Sequence, residues 1–74
     1  MRSLPIRDAE AGLPLQAAVQ LAGWAETGGQ AKQLVQEGQI QVNGSVETRR
    51  SHLVRLGDVL KREGEELEIT SGDH

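Results

Sequence analysis

Thr27-Gly28-Gly29-Gln30-Ala31-Lys32-Gln33-Leu34-Val35-Gln36-Glu37-Gly38-Gln39-Ile40-Gln41-Val42-Asn43-Gly44 holds two different periodicities, and the switch between them decides the fold. The first half opens as a capping box, with Thr27 at the N-cap and Gln30 three residues on. Ala31, Leu34 and Val35 then make an apolar helical stripe, and Gly38 suits the left-handed position that ends a helix. This predicts a helix of about ten residues. After Gly38 the period drops to two. Gln39-Ile40-Gln41-Val42 alternates polar and apolar, Asn43-Gly44 is a strong hairpin signal, and Ser45–Thr48 is the return strand. Two registers are open. A two-residue loop puts Val46 opposite Gln41, whereas a three-residue loop pairs Val42 with Val46 and keeps the apolar face continuous. The longer loop is preferred on that ground.

Working outward towards the N-terminus, Leu15, Ala18, Val19 and Ala22 fall on one helical face, with Pro14 suited to the first turn and Gly23 to the stop. A tight turn around Trp24–Glu26 joins this helix to the next. Residues 1–12 mix Pro, Gly and charge without periodicity and are expected as a loose lead-in, with a short strand at Leu4–Ile6. In the other direction, Leu53, Val54 and Leu56 lead to a Gly57-Asp58 turn, then Val59-Leu60 and a last strand, Glu66–Thr70. Residues 71–74 are expected to fray. The predicted core is Leu15, Val19, Ala22, Ala31, Leu34, Val35, Ile40, Val42, Val59, Leu67 and Ile69.

A chain of 74 residues makes one small domain, 13–70, with a thin margin of stability. It has no cysteine for disulfide or thiolate-metal staples. No apolar run exceeds three residues, and the first residues lack the apolar stretch of a secretory signal, so the expected compartment is the cytoplasm, with no membrane partner. The net charge of -3 argues mildly against nucleic acid, but the charge is unevenly placed. Residues 49–62 carry five cations and one anion, whereas residues 63–73 carry five anions and no cation. A polarised surface can bind phosphate on one side while the whole molecule stays acidic. Mixed charge that only keeps a small domain soluble is the plainer alternative.

Catalytic chemistry finds no support. The two histidines are His52 and the terminal His74, there is no cysteine nucleophile, and no serine elbow, phosphate-cradling lysine loop or metal-spaced cluster occurs. Neither a cofactor nor a metal is implied. Anion binding has more behind it. A helix start presents unpaired N–H groups and partial positive charge. Gly28 and Gly29 would let a phosphate close to that backbone, and Lys32 stands one turn further in. A second candidate is Arg49-Arg50-Ser51-His52, with Arg55, Lys61 and Arg62 nearby in sequence. Against these stand capping alone for Thr27 and Gln30, and a solvated charged face for the arginines. Trp24, the only aromatic residue, suits a core filler better than a stacking platform, since stacking successive bases needs several rings. Folded RNA recognised by shape and backbone fits better.

The run Gly23–Lys32, followed by Glu37-Gly38-Gln39-Ile40-Gln41-Val42-Asn43-Gly44-Ser45-Val46-Glu47-Thr48-Arg49-Arg50 and later by Leu56-Gly57-Asp58-Val59, resembles the RNA-binding domain named after ribosomal small-subunit protein four. More narrowly it resembles the stand-alone YbcJ-like subfamily. The likeness runs over about residues 13–70. It implies an α+β fold of two antiparallel helices packed on a small, bent, mostly antiparallel sheet. It also implies non-catalytic binding of structured RNA, ribosomal or transfer RNA, through backbone phosphates, by a ribosome-associated monomer. Carried over residue by residue, the RNA site is Thr27, Gly28, Gly29, Lys32, Asn43, Arg49, Arg50 and His52. Many relatives carry Arg directly after the Ser/Thr, where this chain has Gly28, which moves the load to backbone amides, Lys32 and the arginine pair. The acidic net charge is a second departure. The alternative function is a protein-interaction module whose basic strip meets an acidic partner.

Overall fold

The computed structural model describes residues 1–72. Its elements run β1 (Arg2–Ile6), β2 (Leu13–Pro14), α1 (Leu15–Leu21), α2 (Gly28–Gln36), β3 (Gln41–Val42), β4 (Ser45–Val46), β5 (Leu53–Val54), β6 (Val59–Arg62) and β7 (Glu65–Ser71). Five strands form one sheet in the order β1-β7-β6-β3-β4, and β2 pairs with β5 in a separate two-stranded ribbon. Every pairing is antiparallel except β1 with β7. The α+β architecture and mostly antiparallel sheet agree with the sequence. No helix among the described residues is long and apolar enough to cross a membrane.

Both helices form where the periodicity put them. Pro14 precedes α1 with no side-chain cap of its own, and Gly23 leaves it at φ +83°. Gly38, at φ +77°, ends α2. The apolar stripes, with Leu15, Ala18, Val19, Ala22, Ala31 and Val35 buried, meet Leu4, Ile6, Leu60, Leu67 and Ile69 from the sheet in one core. Each fully buried Leu, Ile or Val there contributes about 1.5–3 kcal/mol, and that layer sets the sheet's register. Leu60 pairs with Leu67 across β6 and β7.

Four expectations need correction. The segment 1–12 is not a loose lead-in. Arg2–Ile6 pair along β7, and Leu4, Ile6 and Ala9 are buried. Pro5 is tolerated because β1 is an edge strand. The tail does not begin to fray at residue 71, since Ser71 closes β7 and the Gly72 N–H donates to the Ile6 carbonyl at 2.9 Å. The expected fraying of 73–74 lies outside the described residues. In β6 the inward residue is Leu60, with Val59 only half buried, because Leu60 lies between Leu67 and Val42 on the core face of the sheet.

The hairpin is the fourth. Gln41 pairs with Val46 and Val42 with Ser45, so the loop has two residues. Asn43 and Gly44 both take positive φ, 52° and 87°, the signature of the mirror-image turn whose twist matches that of paired strands. The turn geometry overrides the apolar pattern. Val46 is left 58% exposed, and β4 is an edge strand.

Candidate nucleic-acid interface

The opening of α2 is built by Thr27. Its backbone is extended, and its Oγ1 accepts from the Gln30 N–H at 3.1 Å. The Gln30 side-chain carbonyl reaches past Thr27 and accepts from the Glu26 N–H at 2.9 Å, so the box closes one residue earlier than the usual pattern. The N–H groups of Gly28 and Gly29 find no acceptor among the described residues. A side chain on Gly29 would meet only the Thr27 Oγ1, 3.9 Å away, so this backbone is open in front. Exposed Lys32 shares a shallow groove with Gly29, Gln33, Gln36 and Glu37 and has no ion-pair partner among the described residues.

The basic loop reaches this opening by way of α1. Because Pro14 supplies no side-chain cap, the first N–H groups of α1 turn to the loop instead. Leu15 donates to the His52 carbonyl at 2.7 Å and Gln16 to the Arg50 carbonyl at 3.0 Å. The loop is thereby docked on the start of α1, next to α2. From there the Gln16 side chain spans the gap. Its Nε2 donates to the Gly28 carbonyl at 2.8 Å, and its Oε1 accepts from Arg50 Nη1 at 3.5 Å. A Cβ on residue 28 would lie 3.1 Å from that Nε2, so glycine leaves room for the bridge. Arg50 is therefore linked, through the Gln16 side-chain amide, to the first carbonyl of α2.

Arg49 is engaged elsewhere. Its Nε and Nη2 both donate to the Glu47 carboxylate at 3.1 Å, and its backbone N–H adds a third bond at 3.0 Å. These bonds from Arg49 hold the Glu47 carboxyl down to about 2, and the Arg49 guanidinium is raised in turn. His52 Nδ1 lies 3.4 Å from the same carboxylate. Arg49 and His52, both nominated for the site, thus share one acid, Glu47, that was not among the nominated residues. Lys61 and Arg62 leave the basic strip as well, since they sit opposite Glu66 and Glu65 in the ladder. The basic and acidic segments are adjacent strands there, not opposite poles.

Asn43 is not brought to the site. Its Nδ2 donates to Asp58 Oδ1 at 3.0 Å and its Oδ1 accepts from the Val59 N–H at 2.9 Å. Asp58 in turn accepts from the Arg55 N–H at 2.8 Å. Asn43 ties the hairpin to the turn before β6. Trp24 is half buried against the core, and its indole N–H donates to Glu65, which suits a fixed core filler. Glu47 was legible in principle, because residues two apart in extended chain share a face. Gln16 was not, since its contact with Arg50 spans 34 residues.

No group of three or more His, Cys, Asp and Glu among the described residues is placed to hold a metal ion. Among the described residues, α2 thus begins with two amides that have no acceptor, an arginine bridged to its first carbonyl and, one turn on, a lysine without an ion-pair partner. Residues 6–70 are matched by the family described as the S4 domain, and the chain belongs to that family. Among its relatives is the Escherichia coli (strain K12) protein carrying the name "Putative RNA-binding protein YbcJ". The two are 36% identical over 53 residues, 72% of this chain and 76% of the relative. A Shigella flexneri YbcJ, named as uncharacterized, matches to the same extent. The solution structure of E. coli YbcJ superposes with a TM-score of 0.64 at 31% identity, covering 95% of this chain and 85% of that one. That structure is described as revealing an "ALFAL" motif involved in RNA-binding.

Proposed function

We propose that this chain binds structured RNA, ribosomal or transfer RNA, through backbone phosphates, with no catalytic step, as a cytoplasmic monomer that works in or beside a ribosomal particle. The observation that carries this is the link from Arg50 through Gln16 to the carbonyl of Gly28. In this reading the guanidinium and the amides at the start of α2 serve one phosphate, whose oxygens accept from both kinds of donor. Lys32 adds a point charge one turn along. Thr27 shapes the seat, Gly28 and Gly29 keep it open, and Arg49 and His52 flank it, held by Glu47. Asn43 serves by fixing the hairpin from which the loop departs. The relatives' association with RNA supports the same reading.

Fluorescence anisotropy with a labelled RNA hairpin tests it. Three to five phosphate contacts give a slope of log K against log salt of roughly -2 to -5. Replacing both Lys32 and Arg50 by Glu abolishes binding while leaving the thermal transition in place. Undiminished binding by that variant, or none by the parent at low salt, removes the proposal.

A further inference from the structure

Resting on that RNA site, we infer that Gln16 is a positioning residue within it, one that aims Arg50 at the phosphate seat without touching RNA itself. Three observations meet on this side chain. Its amide nitrogen is anchored on the Gly28 carbonyl at 2.8 Å, its amide oxygen receives Arg50 Nη1 at 3.5 Å, and its own backbone N–H holds the Arg50 carbonyl at 3.0 Å. Arg50 is therefore held at its backbone and met, at the long end of hydrogen-bond reach, at its guanidinium by one residue. Its guanidinium carries no carboxylate partner among the described residues, unlike that of Arg49. A free arginine spreads its charge over many rotamers, and fixing one such side chain opposes binding. An amide can meet that cost beforehand without neutralising the charge. Glutamate at the same place would hold Arg50 more tightly, cancel its charge and lose the N–H that anchors on Gly28.

A double-mutant cycle on the full chain, read by anisotropy with an RNA hairpin, separates positioning from contact. At a slope of about -0.8 per contact, Arg50→Ala weakens binding about sixfold at 0.1 M salt and flattens the salt dependence by about 0.8. Gln16→Ala weakens binding about threefold and leaves the salt slope unchanged, because the number of cations is the same. The double variant binds like Arg50→Ala alone. In the free protein, ¹⁵N relaxation shows Arg50 Nε becoming more mobile in Gln16→Ala, while the backbone amides of 51–52 keep their shifts. Alanine suits a first-turn helical position, and the backbone bond to Arg50 is retained. Gln16→Glu weakens binding more than Gln16→Ala. An equal loss from Gln16→Ala with and without Arg50 overturns the inference, as does unchanged Arg50 mobility. If Arg50→Ala is silent while Lys32→Ala still weakens binding, this inference fails and the RNA site stands. If the parent shows no salt-dependent binding at all, the RNA reading itself fails.

Discussion

Replacing Glu47 by Gln should strengthen RNA binding, because it releases Arg49 from the acid that holds it. In the native chain the carboxylate takes two side-chain bonds and one backbone bond from Arg49 and lies against His52. An amide cannot hold the guanidinium as an ion pair, so Arg49 becomes available to a second phosphate. One added contact, at about -0.8 in the salt slope, multiplies affinity about sixfold at 0.1 M salt and less than twofold at 0.5 M. The assay is anisotropy with an RNA hairpin at several salt concentrations. Expected is a steeper slope by about 0.8, with the two curves converging as salt rises. Equal or weaker binding by a folded Glu47→Gln variant at 0.1 M would refute the masking argument. The same carboxyl answers to pH. Its folded value, about 2, lies below the ordinary 4.5, so its stabilising effect is complete above about pH 4.5 and fades as pH falls through 2. A ¹³C titration places the midpoint near 2, and Arg49→Ala moves it back towards the usual carboxylate range.

Three further outcomes follow from the packing. Asn43→Ala removes two side-chain bonds and puts alanine at a left-handed φ, costing about 2 kcal/mol in urea unfolding. RNA affinity at low temperature stays within twofold, since the residue only holds the hairpin. Leu60→Ala empties a fully buried site, and its cost of about 2–5 kcal/mol is a large part of the total of about 4–11 kcal/mol expected for this length; the urea midpoint should collapse. Glu63 sits at φ 54°, which asparagine tolerates better than glutamate, so Glu63→Asn should raise the Tm by a few degrees.

Both helices were legible because each rests on local rules: an apolar stripe closed by a terminal glycine, opened by Pro14 in α1 and by the Thr27 cap in α2. The strand phases were less so. Val59 and Leu60 are equally apolar, and only the pairing of Leu60 with Leu67 and Val42 says which one faces the core. β1 was underestimated because Pro5 and flanking charge hide a strand whose partner lies more than sixty residues on. The hairpin misled because the apolar pattern and the Asn43-Gly44 turn disagreed, and the turn prevailed on a strand with an open edge. For the candidate site, the helix-start pattern pointed to Thr27, Gly28, Gly29 and Lys32, and charge pointed to Arg50. What the pattern could not show was pairing. Arg49 looks like Arg50 in sequence, yet one is held by an acid and the other by an amide.

The most direct test follows the backbone amides and the Gln16 side-chain amide while a structured RNA hairpin is titrated at low salt. Shifts are expected at residues 27–33 and 47–52 and at Gln16 Nε2, with β7 quiet, and they should vanish when Lys32 and Arg50 are both Glu. Shifts centred on β7, or a silent Gly28-Gly29 pair in a chain that binds RNA, would contradict the account.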